Sequence, residues 1–358
     1  MDKAIENIIP PSCRPAGPEE KALAHILRTH PEPYEYIDEL KVHAALSADP
    51  GDYLSFLESN LVDIAAGRSV IEMPPKKIFS DPVGQGDFRV MPCVVRNSRS
   101  IVKTVKVVGT NMTQIRVPDQ VTVGKAFHIH PEENFITHIF EACLLSSART
   151  GACAALGVKH LAPVRRRITI VGAGRVGYYV SLYVSQLEGV EEITIQDLKP
   201  GRAEALATLI NDRSNGRIRC RAVAEKDVDE TDVFILATTS LEPLVGADDL
   251  RAHLVVSVGA DTEYQHELKS SLAKVADIYV DTLDSVHVGD LREWIGSGAL
   301  AEEDLVDLLR LLREGPRPVS GRARVFISTG SALFDNLTIK YFLNRSETSP
   351  HSSKASWA

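Results

Sequence analysis

The segment "VGAGRVG" at residues 171–177 carries three glycines in the pattern G-x-G-x-x-G. It follows the apolar run "ITIV" and precedes a helical pattern, the context in which this spacing indicates a dinucleotide-binding turn. In such a turn the first glycine permits the tight bend, the second lets the backbone approach a pyrophosphate, and the third lets helix and strand pack closely. The amides at the start of the helix then face the phosphates. We expect cofactor contacts from Gly172, Ala173, Gly174, Arg175, Val176 and Gly177.

Asp197 ends the next apolar run, 20 residues beyond Gly177. A carboxylate at this position accepts hydrogen bonds from the adenosine ribose and repels a 2'-phosphate. The sequence therefore predicts NAD as the cofactor and disfavours NADP, although Lys199 two residues later weakens that preference.

Asp261 lies in "SVGADTEYQHEL", directly after the apolar run "HLVV". The carboxyl ends of parallel strands are where open sheets bind ligands, so this carboxylate would be able to move protons while a hydride passes to or from nicotinamide. An aspartate in a strand-to-helix loop is also a common helix cap, and that alternative stays open.

Arg149 is the one charged residue in "LLSSARTGACAALG", residues 144–157. At helical spacing it has no acidic neighbour, and a buried cation without a partner is costly. We therefore expect it to bind an anionic ligand. Lys106 in the apolar strand "TVKVVG", together with Lys76, Lys77 and Arg89, supplies further candidate cations, although any one of them is more often a solvated strand residue.

Composition narrows the class of protein. The 358 residues carry a net charge of -8, with 25% charged and 44% hydrophobic residues, which is ordinary for a globular protein and unfavourable for binding nucleic acid. No run is long and apolar enough for a membrane span, and the first residues do not resemble a signal peptide, so we expect a cytoplasmic protein without a membrane partner. The five cysteines form no CxxC pair and predict neither disulfides nor zinc. His128, His130 and His138 are interpreted as part of a surface hairpin rather than a metal site.

The pattern of apolar runs places these residues in two α/β domains. Residues 1–50 form a Pro-rich N-terminal extension, and 51–163 contain a helix followed by hairpin-forming strands. Residues 164–313 alternate strands with helices, as in a doubly wound parallel sheet, that is, a Rossmann domain. Residues 314–345 end in an amphipathic helix that we expect to dock on the first domain, and 346–358 form a disordered tail.

Several motifs, in this order, resemble the ornithine cyclodeaminase and mu-crystallin family over about residues 52–345. They are "VMP" at 90–92, the Lys106 strand ending in "GTN", "SSARTGACAALGVKHLA", "VGAGRVG", "TTSLEPLV", "VGAD" and "STGSALFDN".

The resemblance implies a Rossmann domain joined to an α/β substrate-binding and dimerisation domain built from both chain ends, and hence a homodimer. It implies that Arg149 and Lys106 bind the substrate α-carboxylate, that Lys77 assists in place of a more usual arginine, and that Asp261 transfers protons, with Lys106 also close to the chemistry. From the same motifs we expect further cofactor contacts from Thr150, Thr238, Thr239, Ser257, Val258, Gly259 and Gly330.

One residue departs from the family pattern. Cyclodeaminases of this family carry a glutamate two residues before the "MP" pair to hold the distal amine of ornithine, and this chain has Arg89 there. An arginine repels an ammonium and attracts a carboxylate or phosphate. The stretch "EACLLSSART" is also similar to the branch that oxidises N-(2-amino-2-carboxyethyl)-glutamate to 2,3-diaminopropionate and 2-oxoglutarate.

These features predict an NAD-dependent oxidoreductase acting on the C–N bond of an amino acid or of an N-substituted, carboxylate-rich amino acid, or catalysing the reverse imine reduction. Two alternatives remain open. One is a cyclodeaminase that releases ammonia and recycles NAD. The other is a non-catalytic ligand-binding protein like mu-crystallin, against which the intact Asp261 argues.

Overall fold

The computed structural model describes residues 22, 26–81, 86–224, 230–260, 262, 264–317 and 322–348. These ranges leave out Asp261, residues 1–21 and 23–25 of the N-terminal extension, which include Cys13, and the last ten residues of the predicted tail.

Within these ranges the helices of four or more residues alternate with strands in two sheets. The helices are α1 (Glu39–Ala48), α2 (Pro50–Ala65), α3 (Cys143–Leu161), α4 (Arg175–Val184), α5 (Pro200–Ser214), α6 (Leu272–Val275), α7 (Gly289–Gly296), α8 (Leu308–Glu314) and α9 (Ala332–Thr348). The strands are β1 (Glu35–Ile37), β2 (Val70–Glu72), β3 (Lys77–Asp81), β4 (Gly86–Arg96), β5 (Ile101–Thr110), β6 (Thr122–Ile129), β7 (Ile136–Glu141), β8 (Arg167–Val171), β9 (Glu192–Gln196), β10 (Arg219–Ala222), β11 (Val233–Leu236), β12 (Leu254–Ser257), β13 (Ala276–Val280), β14 (Val306–Asp307) and β15 (Ala323–Ile327).

The first sheet has the order β1-β7-β6-β5-β4-β2, with β3 also paired to β4. Strands β4 to β7 pair antiparallel, as the hairpin signals predict, while β1 joins β7 in parallel. Burial alternates along β4 and β5, so that Arg89, Met91, Lys106 and Val108 lie on the inner face. This two-residue period places cations of separate strands on one surface.

The second sheet has the order β10-β9-β8-β11-β12-β15-β13-β14, and all of its pairs are parallel. The predicted doubly wound sheet is confirmed. Strand β8 lies between β9 and β11, so its carboxyl end, where "VGAGRVG" begins, is the point at which the strand order reverses. Ligands of open α/β sheets bind at that point.

The domain boundaries differ from the predicted ones at three places. Strand β15 lies between β12 and β13, so the second domain continues to about residue 327 rather than 313. Residues 35–48 are part of the first domain, because β1 extends its sheet and Glu39 accepts the Cys143 and Leu144 amides at the start of α3, at 3.0 and 2.8 Å. Helix α9 runs to Thr348, into the segment predicted as a disordered tail.

Helix α3 is buried along almost its whole length between the two domains. A Cβ on Gly151 would lie 2.6 Å from the Tyr179 carbonyl carbon in α4, and one on Gly157 would lie 2.7 Å from the Phe326 ring in β15. The small residues around Arg149 therefore allow the helix to contact both its neighbours closely.

Helix α9 packs on β4, β5, α2 and α3, as its apolar face predicts, and Phe334, Leu337 and Tyr341 are buried there. Among the described residues, no helix has the length and apolar character of a membrane span.

Candidate functional site

A large cavity of about 2060 Å³ opens between the inner face of the first sheet and the carboxyl edge of the second. Small-molecule pockets are usually about 300–1,000 Å³, so this cavity has room for an extended ligand and a second molecule beside it. Predicted site residues from both domains line it: Arg89, Lys106, Arg149, Thr150, Gly172, Ala173, Gly174, Arg175, Val176, Asp197, Thr238, Thr239, Val258 and Gly259.

The glycine turn has the geometry that its spacing predicts. Gly172 has φ +106°, and a Cβ there would lie 2.3 Å from the Ala237 carbonyl oxygen. A Cβ on Gly177 would lie 1.8 Å from the Gly172 oxygen, whereas Gly174 has no atom within 4 Å on that side. Gly172 and Gly177 thus allow close packing, and Gly174 leaves the cavity open for an approaching phosphate, so these residues fit a dinucleotide.

Asp197 follows β9 at the other side of this turn. Its carboxylate accepts the Ala173 amide at 2.8 Å and the Lys199 amide at 2.8 Å. These contacts hold it at the cavity wall, where an adenosine ribose would lie.

Arg149 has an acidic partner, contrary to the expectation from its sequence neighbours. Its Nε lies 3.1 Å from Oδ1 of Asp335, which belongs to α9, 186 residues away. The Lys106 Nζ contacts the same carboxylate at 2.8 Å from Oδ1 and 2.7 Å from Oδ2, and donates to the Ser146 hydroxyl at 3.2 Å. All three charged side chains are more than nine-tenths buried. Two cations share one anion, so the cluster carries one net positive charge.

Lys106 is held in an unusual electrostatic environment. Its side chain is 1% exposed, and burial lowers the pKa of its ammonium from 10.5 to about 8. The Asp335 carboxylate opposes this shift, while Arg149 and Arg89 add to it. An amine with a pKa near 8 changes its protonation close to physiological pH, which suits it to proton transfer as well as to anion binding.

Lys77 is predicted to help bind the substrate carboxylate, but Lys76 is the lysine that contacts a residue of the cavity wall. Lys77 is exposed on the outer face of β3, with its Nζ 5.8 Å from the centre of the Phe79 ring. The Lys76 ammonium instead donates to the Thr329 carbonyl and hydroxyl, both at 3.1 Å. Thr329 lines the cavity next to Gly330. Lys76 lies just before β3, which begins at Lys77, and the two adjacent lysines have different surroundings.

Gly330 packs against the Arg149 guanidinium. It has φ +89°, and a Cβ there would lie 2.8 Å from Nη2 and 2.9 Å from Nη1 of Arg149. Its amide donates to Asp281 at 3.1 Å. The absence of a side chain at Gly330 therefore leaves the space that the Arg149 guanidinium occupies.

Arg89 is also buried at the cavity wall and has a carboxylate beside it. Its Nη2 and Nε lie 2.8 and 3.2 Å from Oδ2 of Asp87, and Oδ1 of Asp87 accepts the Thr110 hydroxyl at 2.9 Å. Asp87, Arg89 and Thr110 all line the cavity. The predicted cation at this position thus forms an ion pair with Asp87.

Glu267 joins the loops at the carboxyl ends of β11 and β12. Its carboxylate accepts the Thr238 amide and hydroxyl at 2.7 and 2.8 Å, the Ser257 hydroxyl at 2.7 Å and the Gly259 amide at 3.0 Å. Burial raises the pKa of Glu267, and these donors act in the opposite direction. Gly259, which belongs to this network, is two residues before Asp261 in the sequence.

The histidines and cysteines show no sign of metal or redox chemistry within the described residues. His128 and His138 face each other across β6 and β7, and burial lowers the pKa of His128 to about 4. The described chain contains no group of three His, Cys, Asp or Glu that would hold a metal ion. Cys93, Cys143, Cys153 and Cys220 are buried and unbonded.

Three acidic residues of the site were not predicted: Asp87, Glu267 and Asp335. Asp335 lies in "STGSALFDN" and Glu267 in "SVGADTEYQHEL", but neither motif alone shows that these carboxylates turn inward. The contact between Asp87 and Arg89 was predictable from the sequence, because residues two apart in a strand lie on the same face.

Comparison with known proteins agrees with this architecture. The L-lysine cyclodeaminase of Streptomyces rapamycinicus is 28% identical over 296 residues, covering 77% of this chain and 81% of that protein. A solved structure of Thermococcus litoralis Δ1-pyrroline-2-carboxylate reductase in complex with NADH and L-proline has a TM-score of 0.77 at 20% identity, covering 87% of this chain and 97% of that one. An archaeal alanine dehydrogenase dimer with bound NAD has a TM-score of 0.74 at 21% identity, covering 88% and 96%.

The family model for ornithine cyclodeaminase and mu-crystallin matches residues 38–348. The match begins with α1 and ends with α9, so it includes both sheets and the cavity between them. This protein belongs to the ornithine cyclodeaminase/mu-crystallin family.

Proposed function

We propose that this protein is an NAD-dependent oxidoreductase that acts on the C–N bond of an amino or imino acid, with N-substituted, carboxylate-rich amino acids as the leading substrate class. One observation carries the proposal: the dinucleotide turn and a buried cation cluster with one net positive charge line the same cavity. A substrate α-carboxylate would balance that charge.

Arg149 and Lys106 would bind the α-carboxylate and so orient the carbon that bears the nitrogen. Bound NAD would accept the hydride from this carbon. Asp261 would take the proton from the nitrogen as the imine forms and then deliver it during hydrolysis to a 2-oxo acid and an amine. The reverse sequence is imine reduction.

The names of similar proteins support the coarser part of this proposal. A cyclodeaminase, a pyrroline-carboxylate reductase and an alanine dehydrogenase all act on carbon–nitrogen bonds of amino or imino acids, and two of them were solved with NAD or NADH. N-(2-amino-2-carboxyethyl)-glutamate is the specific candidate, since Arg89 favours a further carboxylate over the distal amine of ornithine.

A cyclodeaminase is the second candidate, favoured by the similarity to L-lysine cyclodeaminase over 77% of the chain. The two reactions differ in their products. A cyclodeaminase releases ammonia and leaves NAD oxidised after each turnover, whereas the oxidoreductase accumulates NADH.

One assay separates these candidates. The enzyme is incubated with NAD and either N-(2-amino-2-carboxyethyl)-glutamate, ornithine or lysine, while NADH and ammonia are followed together. We expect NADH to accumulate with the N-substituted substrate only. Ammonia without NADH from ornithine or lysine would establish the cyclodeaminase, and binding of NAD without turnover of any amino or imino acid would favour a non-catalytic role.

We also propose a homodimer formed through the outer face of the first sheet. Phe79 and Phe88 stack there with ring centres 4.7 Å apart and are 42% and 48% exposed, and the partly exposed Val107 and Ile101 lie farther along the same face. An apolar sheet face of this kind is typical of a subunit interface. Phe88→Glu should convert the dimer to a monomer in light scattering, and a monomeric native protein would contradict the proposal.

A further inference from the structure

Glu267 is a fully buried carboxylate behind the wall of the cavity. Its side chain is 0% exposed, and its two oxygens accept four hydrogen bonds, from the Thr238 amide and hydroxyl, the Ser257 hydroxyl and the Gly259 amide, at 2.7–3.0 Å. Burying a carboxylate is costly unless hydrogen-bond donors surround it, and four donors fill about all the positions at which a carboxylate accepts. The side chain is therefore fixed in one orientation.

These donors lie where the backbone pairing of β11 and β12 ends. A bond from the Val258 amide to the Leu236 carbonyl, at 3.0 Å, stands at the end of that pairing. The Thr238 and Gly259 amides, which follow in the two loops, donate to opposite oxygens of Glu267 in place of a further strand partner. A Cβ on Gly259 would lie 2.1 Å from the Thr238 carbonyl oxygen and 2.5 Å from Oε1 of Glu267. The carboxylate thus holds two loops in direct contact beyond the edge of the sheet.

The backbone of Glu267 is fixed as well. The Glu267 and Leu268 amides donate to Oδ2 of the buried Asp290, at 3.1 and 3.0 Å. The Glu267 carbonyl accepts the Leu244 and Val245 amides, at 2.9 and 3.2 Å. Because its backbone and its carboxylate are both held, Glu267 imposes a definite position on the two loops.

The two loops form the part of the wall that the nicotinamide half of the cofactor would meet. In the strand order β9-β8-β11-β12, the glycine turn follows β8 and Asp197 follows β9. With the pyrophosphate at the turn and the adenosine beside Asp197, the other half of NAD would extend over the carboxyl ends of β11 and β12. Thr238 and Gly259 line the cavity there, and Glu267 and Ser257, 0% and 1% exposed, lie behind them.

We infer that Glu267 is a positioning residue for the nicotinamide half of the cofactor, acting through the cavity wall formed by Thr238 and Gly259. A wall that is held in place before the cofactor binds lowers the entropy cost of ordering the ring. The adenosine half lies on the other side of the glycine turn and is not held by this network. This role concerns the cofactor, so it goes beyond the proposed reaction and holds for any amino-acid or imino-acid substrate.

The test compares NADH with ADP-ribose, which contains the adenosine and the pyrophosphate but lacks the nicotinamide. Calorimetry without substrate gives both dissociation constants for wild type and for Glu267→Gln. The new amide turns an NH₂ group towards the donors of one loop, so two of the four hydrogen bonds are lost. We expect the affinity for NADH to fall by about 10-fold and the affinity for ADP-ribose to change by less than about threefold.

Three further variants make the comparison specific. Ser257→Ala removes one donor behind the wall and should weaken NADH alone, by about fivefold, which keeps the test decisive if Glu267→Gln does not fold. Asp197→Asn probes the adenosine half and should weaken NADH and ADP-ribose equally, since both contain the adenosine ribose. Glu192→Gln is the matched control, because Glu192 pairs with Arg221 at 2.6 Å at the amino end of β9, on the opposite edge of the same sheet.

The fluorescence of bound NADH is a second readout, because it arises from the nicotinamide ring. It should shift towards that of free NADH in Glu267→Gln and stay unchanged in Glu192→Gln. Equal losses for NADH and ADP-ribose in Glu267→Gln or Ser257→Ala, as for Asp197→Asn, would overturn the positioning role, and so would unchanged affinity for both ligands. Either result leaves the proposed oxidoreductase intact, since that activity is tested by turnover of substrate with NAD.

Discussion

Two ion clusters line the same cavity, and they differ in charge balance. In the cluster of Lys106, Asp335 and Arg149, two cations share one carboxylate, and the three residues come from β5, α9 and α3. The pair of Asp87 and Arg89 has one charge of each sign and lies within one strand. Among the described residues, the first cluster therefore has one more cation than anion, whereas each charge of the second has a partner of opposite sign. An excess positive charge favours binding an anion.

The excess of cations in the first cluster also affects the stability of the fold. In the first cluster Asp335 is the only anion described for two buried cations, so its loss leaves both uncompensated. Removing Arg149 instead leaves a balanced pair of Lys106 and Asp335. Stability and activity should therefore respond to different residues of one cluster.

Asp335→Ala should have the largest effect. Leaving buried charges without their partner costs about 3–5 kcal/mol, and here two cations lose it. The free energy of unfolding is measured by urea denaturation, with Glu72→Ala at the exposed Glu72–Arg96 pair as the control. A loss below about 1 kcal/mol would show that the cluster is not held by this carboxylate.

Arg149→Ala should mainly affect the substrate. Truncating one partner of a buried charged contact costs about 2–4 kcal/mol in binding, so kcat/KM should fall by about 30- to 1,000-fold. NAD affinity, measured by calorimetry, should change by less than about threefold, and Arg96→Ala serves as the exposed control. If NAD and substrate affinities fell equally, Arg149 would have a structural role.

Gly330→Ala tests whether the position of Arg149 matters as much as its charge. The new Cβ would lie 2.8 Å from Nη2, and the residue already has φ +89°. Displacing the guanidinium should lower kcat/KM by about 10- to 100-fold, with a loss of about 1–3 kcal/mol in stability. Gly296→Ala is the control, because a Cβ there meets no atom within 4 Å. Unchanged kinetics for Gly330→Ala would contradict the proposed contact.

The smallest expected effect is the change of kcat/KM with pH as Lys106 loses its proton. With a pKa of about 8, its ammonium loses its proton as the pH rises, so kcat/KM should fall above pH 8 by about tenfold for each pH unit. Lys106→Arg should move this decline to higher pH, since arginine stays protonated. Unfolding would not explain the decline in kcat/KM. The Lys106 amine binds its proton more tightly in the unfolded chain, so its contribution to stability increases with pH between about 8 and 10.5. A decline at the same pH in both proteins would assign it to another group.

Much of the second domain was predictable from local patterns. The alternation of strands with helices over residues 164–313 predicts a parallel sheet, and the glycine spacing predicts the turn after β8. Strand β15 was missed, since "ARVFI" follows a Pro- and Gly-rich segment near the chain end and nothing local shows that it inserts between β12 and β13. Lys76 and Lys77 are both candidate cations in the sequence, and only the structure shows that the Lys76 ammonium contacts Thr329 while Lys77 is exposed.

The sequence by itself determined the parallel sheet, the dinucleotide turn and three of the cations that line the cavity, Arg89, Lys106 and Arg149, because these depend on period, spacing and residue type within short segments. Only the tertiary structure decided the charge balance of the site. Asp335 reaches Arg149 and Lys106 across 186 and 229 residues, and Glu267 joins the ends of two strands. A charged group acts over a few ångströms in space irrespective of its distance along the chain, so which carboxylate neutralises which cation is settled by packing.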